Sequence, residues 1–152
     1  MGAASDAVSQ FMNSGSPPPP ASVLVIEDSP MIRDSLVEII NADAGRCVTA
    51  TTDNEQDAVA IVRRGEVDIA IIDLQLRHGS GVGVLRQLDA DRSVLKIVLT
   101  NFSSPLMRQR CIDLGADFYF DKSREFELVV QVIDAWMHRR SRRPPDGGVP
   151  PG

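Results

Sequence analysis

The sequence predicts an α/β fold in which five parallel strands form one sheet with helices on both faces. Short apolar runs rich in β-branched residues alternate with segments of helical periodicity between Ser22 and Arg140. The central run, residues 67–72, is apolar at every position except Asp68, which is typical of a strand buried on both faces of a parallel sheet. Right-handed crossovers between strand–helix units then leave few arrangements other than a doubly wound sheet.

Length and composition limit the classes of function. The chain has 152 residues, 43% of them hydrophobic and 24% charged, which suits one folded domain with additional residues at its ends. A formal net charge of -5 argues against a nucleic-acid-binding face over the whole body. The N-terminus lacks the basic and apolar regions of a signal peptide, and no apolar segment approaches about 18 residues, so we expect a cytoplasmic protein without a membrane segment.

The two ends of the chain differ in composition from the segment between them. Small polar residues and Pro17–Pro20 dominate residues 1–21, and SRRPPDGGVPPG forms residues 141–152. Such sequences bury too little apolar surface to offset the entropy of ordering. We therefore expect a disordered leader, a folded domain over residues 22–140 and a flexible tail. The cations at 138–143 are interpreted as compensating a helix dipole, with docking to an acidic partner as the alternative.

The first strand–helix unit begins with SVLVI, which ends in Glu27 and Asp28. Ser29 followed by Pro30 predicts the N-cap and the first residue of a helix that ends near residues 41–45.

The second unit consists of the strand RCVTATT and a helix that Asp53 is predicted to begin, with Gln56 at capping-box spacing and Gly65 after its end. Cys47 and Cys111 have no CxxC or Cys/His spacing around them, so both are predicted to be buried free thiols.

The third unit carries a carboxylate at its most informative position. Asp73 follows the apolar run 67–72 and precedes the polar loop 75–81, so it is predicted at the carboxyl end of a central strand, where open α/β sheets bind ligands. The glycines at 79, 81 and 83 do not form a phosphate-binding GxGxxG loop, because Val84 stands where a glycine is needed. Loop flexibility is the favoured interpretation of these glycines.

The last two units repeat the pattern. VLKIVLT ends in Thr100, and ADFYF leads to Lys122. Ser104 is predicted to cap the fourth helix and Gly115 to follow it, while Ser123 is predicted to cap the last helix.

Polar side chains from four strand ends are predicted to meet at one edge of the sheet. They are Glu27, Asp28, Asp73, Thr100 and Lys122. Three carboxylates ~4 Å apart would repel by about 4 kcal/mol per pair at an effective dielectric of about 20, which calls for a hard cation. Mg²⁺ suits oxygen ligands and bridges carboxylates to phosphate. The ammonium and the hydroxyl add donors for phosphoryl oxygens.

This set of residues, at these spacings, resembles a response-regulator receiver domain of bacterial two-component signalling over Ser22 to about Arg140. The residues that carry the resemblance are Glu27, Asp28, Asp73, Thr100, Tyr119 and Lys122, the last within FYFDK. The resemblance, to chemotaxis regulators in particular, implies a flavodoxin-like fold with strand order 2-1-3-4-5.

The resemblance also implies the chemistry. Asp73 would accept a phosphoryl group from a phosphohistidine of a sensor histidine kinase or a histidine phosphotransfer protein, in a Mg²⁺-dependent reaction. Asp28, Asp73 and the backbone carbonyl of Gln75 would bind the ion directly, and Glu27 would hold one of its water ligands.

The phosphoryl oxygens would be held by Lys122, Thr100 and the backbone amides of Leu74 and Asn101. Thr100 and Tyr119 would form the switch, because movement of the hydroxyl toward the phosphoryl group would open space into which the aromatic ring can turn.

Three positions depart from the family pattern. Arg77 and Ser123 stand where receivers usually carry proline, and Asn101 stands where they usually carry a smaller residue. Because a cis peptide costs ~3 kcal/mol without proline, we expect a trans bond after Lys122.

Only a short segment follows the receiver pattern, so we expect a stand-alone receiver. It would act on an unidentified protein partner or pass the phosphoryl group on. We expect no enzymatic activity beyond its own phosphorylation and dephosphorylation. A nucleotide binder is disfavoured because Glu27 and Asp28 repel phosphate after the first strand. An aspartyl-phosphate hydrolase is disfavoured because Gln75 stands where its DxD motif needs aspartate. A phosphorylation-independent scaffold on the same fold is the remaining alternative.

Overall fold

The computed structural model describes residues 19–101 and 104–141, and over these residues strands and helices alternate strictly. The strands are β1 (Ala21–Ile26), β2 (Arg46–Thr52), β3 (Ile69–Ile72), β4 (Leu95–Thr100) and β5 (Phe118–Asp121). The helices are α1 (Pro30–Asn41), α2 (Glu55–Arg63), α3 (Gly81–Gln87), α4 (Pro105–Asp113) and α5 (Leu128–Ser141). Residues 1–18 of the predicted leader and 142–152 of the predicted tail lie outside the described residues.

All neighbouring strands pair in parallel, in the order β2-β1-β3-β4-β5. This confirms the predicted fold class and strand order. The register places Ile26 beside Ile72 and Ile72 beside Val98. Strands β1, β3 and β4 therefore end at nearly the same level, and the residues that follow them share one edge of the sheet.

Two apolar layers cover the faces of the sheet. Helices α2, α3 and α4 pack on one face through residues such as Val62, Leu85 and Cys111, while α1 and α5 pack on the other through residues such as Ile40 and Ile133. All residues of β3 are buried, because it lies between both layers. The uninterrupted apolar run that predicted this strand is a direct consequence of that position.

The starts of α1 and α4 agree with the predicted caps, since Ser29 and Ser104 accept hydrogen bonds from amides three residues on. The predicted start of α2 at Asp53 is wrong by one residue. The N-cap is Asn54, whose extended backbone lets its side chain accept a hydrogen bond from the amide of Asp57 at 3.0 Å.

The predicted start of α5 at Ser123 is also wrong, because α5 begins at Leu128. Asp121 accepts hydrogen bonds from both the amide and the hydroxyl of Ser123, at 2.8 and 2.6 Å. The Glu125 carboxylate in turn accepts from the amide of Asp121 at 3.0 Å. These local bonds hold residues 121–125 in turns, so the serine hydroxyl does not cap a helix.

Two basic residues are buried away from the predicted site. Lys96 lies in β4, and its Nζ donates to the carbonyl oxygens of Leu88 and Asp91, each at 2.6 Å. Arg46, at the start of β2, pairs with Asp134 of α5 at 2.6 Å. Both side chains tie the sheet to covering elements.

Several smaller predictions can be compared with the structure. Both cysteines are free, but only Cys111 is buried and Cys47 is partly exposed. Burial raises the pKa of the Cys111 thiol. The described peptide bonds are all trans, including the one after Lys122. Among the helices described, none combines the length and the apolar character needed to cross a lipid bilayer.

Candidate functional site

The sheet itself sets the starting point of each predicted site residue. The amide of Asp73 donates to the carbonyl of Ile26 at 2.9 Å, which extends the pairing of β1 with β3 by one residue. The amide of Lys122 donates to the carbonyl of Thr100 at 2.9 Å and does the same for β4 and β5. The backbone of Asp73 and Lys122 is therefore held in place by hydrogen bonds to neighbouring strands, which fixes the position of both side chains at this edge.

An acidic cluster lies at this edge. Glu27, Asp28 and Asp73 each place one carboxylate oxygen within 4.8 Å of those of the other two. Glu27 and Asp73 are buried, whereas Asp28 is partly exposed. The structure thus brings together three carboxylates that the sequence separates by up to 46 positions (73 − 27).

Lys122 neutralises part of this negative charge. Its Nζ lies 2.7 Å from Oε1 of Glu27 and 3.1 Å from Oδ2 of Asp73. Burial by itself lowers the pKa of Lys122, but the hydrogen bond to Glu27 and the charges of Asp73 and Glu27 outweigh it, so the pKa is raised. The ammonium form is therefore stabilised inside the cluster.

Glu27 is held from two sides. Besides Lys122, the backbone amide of Ser29 donates to its Oε2 at 3.1 Å. Burial raises the pKa of Glu27, and these two hydrogen bonds offset only part of that effect, while the charge of Asp73 adds to it.

The loop after β3 is folded back on itself beside Asp73. The amide of Gln75 donates to Oδ1 of Asp73 at 3.3 Å, and the amide of Gly81 donates to the carbonyl of Leu74 at 3.0 Å. Gln75 and Ser80 also form an antiparallel bridge. The predicted metal-binding carbonyl of Gln75 and the predicted phosphoryl-binding amide of Leu74 therefore both belong to this closed loop.

The remaining predicted residues lie at the ends of β4 and β5. Thr100 is fully buried and Asn101 is exposed. Tyr119 is buried on the face covered by α4, where the guanidinium carbon of Arg108 lies 5.9 Å from its ring centroid. The ring thus occupies an inward position, and its predicted part in a switch with Thr100 stays a prediction. Phe102, next to this site in sequence, lies outside the described residues.

The environment of Tyr119 explains why the ring is inside. The Arg108 side chain covers the ring and donates to the Tyr119 carbonyl at 3.3 Å. Burial is the largest cause of a raised pKa of Tyr119, which a hydrogen bond with the Ser104 backbone offsets in part. The aromatic ring is therefore coupled to both ends of the first turn of α4.

The composition of the cluster fits a hard divalent cation. Its ligand atoms are carboxylate oxygens, which Mg²⁺ prefers over nitrogen or sulfur ligands. Counted at their formal charges, the three carboxylates and the ammonium of Lys122 sum to −2 (−3 + 1). A divalent cation would balance that charge.

Comparison with known proteins agrees with this geometry. The family model described as response regulator receiver domain matches residues 23–134. The chain belongs to the response-regulator receiver family. Magnesium and phosphorylation are typical of this family.

The receiver has relatives among curated proteins and solved structures. The nitrate/nitrite response regulator NarP of Escherichia coli is 26% identical over 117 residues, which are 76% of this chain and 54% of NarP. The chain spans about half the length of the curated relatives it matches, or less.

Two solved complexes contain chains of the same fold. The CheX–CheY–BeF3–Mg complex from Borrelia burgdorferi matches with TM-score 0.70 and 20% identity, covering 82% of this chain and 93% of that chain. The complex of the CheA3 P1 domain with CheY6 from R. sphaeroides matches with TM-score 0.63 and 23% identity, covering 78% and 98%.

Glu55 contacts the loop after Asp73, and this contact is not predicted from the sequence. The Glu55 carboxylate accepts hydrogen bonds from the Ser80 amide at 2.9 Å and from Gln87 at 2.7 Å. The glycines attributed to loop flexibility serve close approach instead: a Cβ at Gly83 would collide with this carboxylate. The repeated glycines beside a helix start were the available signal, and they were misinterpreted.

Proposed function

We propose that this receiver accepts a phosphoryl group on Asp73 from a phosphohistidine, in a Mg²⁺-dependent reaction, and signals through a protein partner. The observation that supports this best is the placement of Asp73 just after β3, where its carboxylate lies near those of Glu27 and Asp28 and its Oδ2 lies 3.1 Å from Nζ of Lys122. Such a group of carboxylates and a lysine suits phosphoryl transfer, in which positioning and charge neutralisation dominate.

In the proposed reaction the Asp73 carboxylate is the nucleophile. Its oxygen forms a bond to phosphorus as the bond between phosphorus and the imidazole nitrogen breaks, and the electron pair of that bond stays on the nitrogen. The hydrogen bond from the amide of Gln75 to Oδ1 of Asp73 fixes the orientation of the carboxylate. The other oxygen, Oδ2, faces Lys122.

The donors around Asp73 have distinct proposed tasks. Lys122 supplies a positive charge that can move from Asp73 toward an incoming phosphoryl oxygen. Thr100, at the end of the neighbouring strand β4, supplies a hydroxyl. The backbone amides of Leu74 and Asn101 would hold the remaining phosphoryl oxygens, since Leu74 directly follows Asp73 and Asn101 directly follows Thr100.

The acidic cluster would hold the metal ion. Asp28, Asp73 and the carbonyl of Gln75 are the proposed direct ligands, with Glu27 holding a water ligand. When bound, Mg²⁺ would neutralise the charge that accumulates between the carboxylates and the phosphoryl oxygens. Lys122, at 2.7 Å, would orient the Glu27 carboxylate, and its hydrogen bond offsets part of the rise that burial causes in the pKa of Glu27.

The proposed phosphodonor is a histidine kinase or a histidine phosphotransfer protein. A receiver of the same fold is found in complex with the P1 domain of CheA3, which supports this class of partner. A second fold relative is found together with BeF3 and Mg, which supports an acyl-phosphate chemistry. The downstream partner would be a protein that distinguishes the phosphorylated from the unphosphorylated receiver.

Phosphorylation of the purified chain tests the proposal. Incubation with acetyl phosphate and Mg²⁺ should add one phosphoryl group, detected by intact-protein mass spectrometry and lost in base. The Asp73→Asn variant should take up none, whereas Asp53→Asn, a partly exposed aspartate after β2, should behave as wild type.

Two results would contradict the proposal. Labelling of Asp73→Asn at the wild-type rate would exclude this residue as the acceptor. Labelling that persists in excess EDTA would exclude the metal from the reaction. If wild type takes up no phosphoryl group from acetyl phosphate or from phosphorylated histidine kinases, the chain acts as a phosphorylation-independent scaffold.

A further inference from the structure

Glu55 lies at the first position of α2 and reaches across to the loop that follows Asp73. Its Oε1 accepts a hydrogen bond from the amide of Ser80 at 2.9 Å, and its Oε2 accepts one from Nε2 of Gln87 at 2.7 Å. One carboxylate thus contacts both Ser80, which directly precedes α3, and Gln87 at the end of α3. The side chain is partly buried, so these bonds compete with water only in part.

The backbone of Glu55 contacts the same loop. Its amide donates to the carbonyl of His78 at 2.9 Å, and the preceding residue, Asn54, forms a parallel bridge with His78. The loop is therefore attached to the start of α2 at two of its residues, His78 and Ser80, in addition to its attachment to β3.

The glycines of the loop are matched to the Glu55 side chain. Gly79 has a φ of +84°, and a Cβ there would come within 2.6 Å of Oε1 of Glu55. A Cβ at Gly83 would collide with the same carboxylate. The backbone at Gly79 and Gly83 therefore lies so close to the Glu55 side chain that it leaves no room for a Cβ at either position. A flexible linker would not need glycine at these positions for that reason.

The other side of the loop rests on the proposed phosphoacceptor. A Cβ at Gly81 would collide with the Asp73 carbonyl and lie 2.8 Å from Cα of Leu74. The Gly81 amide also donates to the Leu74 carbonyl at 3.0 Å. The loop is consequently held between Asp73 and Glu55, and a shift at Ser80 would be transmitted to Leu74 and Gln75 through the bridge that closes the loop.

We infer that Glu55 is a positioning residue for the receiver site, acting through the loop of residues 74–81. Its carboxylate holds the loop in the shape that presents the Gln75 carbonyl to the metal ion and the Leu74 amide to the phosphoryl group. This inference rests on the proposed function of Asp73. The loop contains no proline, so its shape depends on these contacts and on the glycines.

Glu55→Ala tests the inference. We expect its dissociation constant for Mg²⁺, measured by isothermal titration calorimetry, to rise about tenfold, as for other residues that orient metal ligands. The Mg²⁺ concentration that half-saturates phosphorylation by acetyl phosphate should rise by the same factor. In the metal-free protein, the amides of Ser80 and Gly81 should exchange with deuterium at least about tenfold faster, which requires no bound metal.

Two further variants separate positioning from a general loss of structure. Glu55→Gln keeps an acceptor for the Ser80 amide, so it should restore Mg²⁺ affinity to within about twofold of wild type. Gly83→Ala displaces the Glu55 carboxylate without removing it. As a single substitution, Gly83→Ala should weaken Mg²⁺ binding. Combined with Glu55→Ala it should have no further effect, because the carboxylate with which the new Cβ would collide is then missing. Gln56→Ala, at an exposed position of the same helical turn, is the matched control.

The outcomes distinguish this inference from the proposed function. If wild type binds Mg²⁺ and is phosphorylated while Glu55→Ala and Gly83→Ala both match it within twofold, Glu55 does not position the site. If the effects of Glu55→Ala and Gly83→Ala simply add, the carboxylate and the glycine act separately and the inference is wrong. If wild type neither binds Mg²⁺ nor is phosphorylated, the proposed function is wrong. In that case, unchanged deuterium exchange of the Ser80 and Gly81 amides in Glu55→Ala would also show that Glu55 does not hold the loop.

Discussion

The ammonium of Lys122 lies 2.7 Å from a carboxylate oxygen of Glu27, and both side chains are more than nine-tenths buried. Lys122 also contacts Asp73, so one cation is shared by two carboxylates from different strands. The lysine therefore has a structural task before any phosphoryl group arrives. It compensates a charge that would otherwise destabilise the folded state.

This arrangement predicts opposite effects of Lys122→Met on metal binding and on phosphorylation. Without the ammonium the cluster is more negative, so the affinity for Mg²⁺ should rise about tenfold. Two unit charges ~4 Å apart interact by about 1 kcal/mol at the dielectric constant of water and by about 4 kcal/mol at an effective dielectric of about 20. Phosphorylation by acetyl phosphate should nevertheless become slower, because the phosphoryl oxygens lose a charged donor. Calorimetric titration with Mg²⁺ and single-turnover labelling measure the two quantities.

Arg124→Met is the matched control for this prediction. Arg124 is exposed and two residues from Lys122, and its loss changes the net charge equally without touching the cluster. In metal-free buffer, Lys122→Met should lose about 3 kcal/mol of the free energy of unfolding, because it leaves buried carboxylates unpaired. Weaker Mg²⁺ binding by Lys122→Met would show that the lysine helps to build the metal site and does not compete with the ion.

The ion pair between Arg46 and Asp134 predicts an asymmetric effect on stability. Arg46 is buried and also donates to the carbonyls of Ile40 and Ile39 at the end of α1, at 3.1 and 3.4 Å. Asp134 is half-exposed. Arg46→Met should therefore lose about 2–3 kcal/mol by urea unfolding, because the carbonyls lose their donor, whereas Asp134→Asn should lose less than about 1 kcal/mol. Equal losses would mean that the ion pair itself, and not the capping of α1, is the main contribution.

The position of Asp73 could be predicted from sequence because it depends on local signals. An apolar run fixes the strand, and the polar loop fixes where the strand ends. The same holds for Thr100. Strand order came from the resemblance to receivers, since nothing in the composition of five short strands specifies which of them are neighbours.

The partners of Glu55 and Lys96 could not be predicted, although the glycines at 79, 81 and 83 indicated that another group approaches the loop closely. Glu55 accepts from a backbone amide 25 residues away, and Lys96 donates to two backbone carbonyls. Backbone groups carry no sequence signature, so the partner of a side chain that binds them is known only once the loops are placed. At Ser123 the local signal for a helix cap was overridden, because Asp121 accepts hydrogen bonds from both the amide and the hydroxyl of Ser123 and holds this segment in a turn.

The burial of Lys96 predicts a dependence of stability on pH. Burial lowers the pKa of Lys96; the charges of Asp91, Asp117 and Asp89 oppose this in part, and that of Arg92 adds to it. Below the lowered folded-state pKa both states carry the proton, and the full penalty for burying the ammonium is present. As pH rises from there toward the ordinary value of 10.5, the unfolded chain binds more protons than the folded one, so the free energy of unfolding rises.

Lys96→Met should remove that rise. At neutral pH it should be about 1–3 kcal/mol less stable than wild type, because the Leu88 and Asp91 carbonyls lose their donor. The difference should widen as the pH rises toward 10.5, since the neutral amine of wild type still donates two hydrogen bonds. Urea unfolding of both proteins from neutral pH toward 10.5 gives the comparison. Arg64→Met, at an exposed arginine that is not among the charges acting on Lys96, is the control. A difference that stays constant with pH would mean that Lys96 keeps its ordinary pKa in the folded state.

The last prediction concerns how phosphorylation is transmitted from Thr100 to Tyr119. A phosphoryl group brings about −1.5 to −2 charges to the end of β3, and Thr100 is fully buried at the end of the neighbouring strand β4. Since the Tyr119 ring is already inside, we expect the hydroxyl to fix this inward position and the adjacent start of α4. A shift from 1:99 to 99:1 needs about 5.5 kcal/mol, which a few charge-assisted hydrogen bonds can supply.

NMR spectra with and without the phosphoryl mimic beryllofluoride test this transmission. In wild type the mimic should shift amide resonances both around Asp73 and along α4. In Tyr119→Ala the shifts around Asp73 should remain and those along α4 should be lost, because the ring that contacts Arg108 of α4 is missing. Tyr119→Leu keeps most of the apolar volume, so a loss of shifts in both variants cannot be attributed to a cavity. Phe118→Ala, at a partly exposed ring on the opposite face of β5, should respond as wild type. Shifts along α4 of unchanged size in both Tyr119 variants would mean that the ring is a packing residue and that the signal leaves the site by another route.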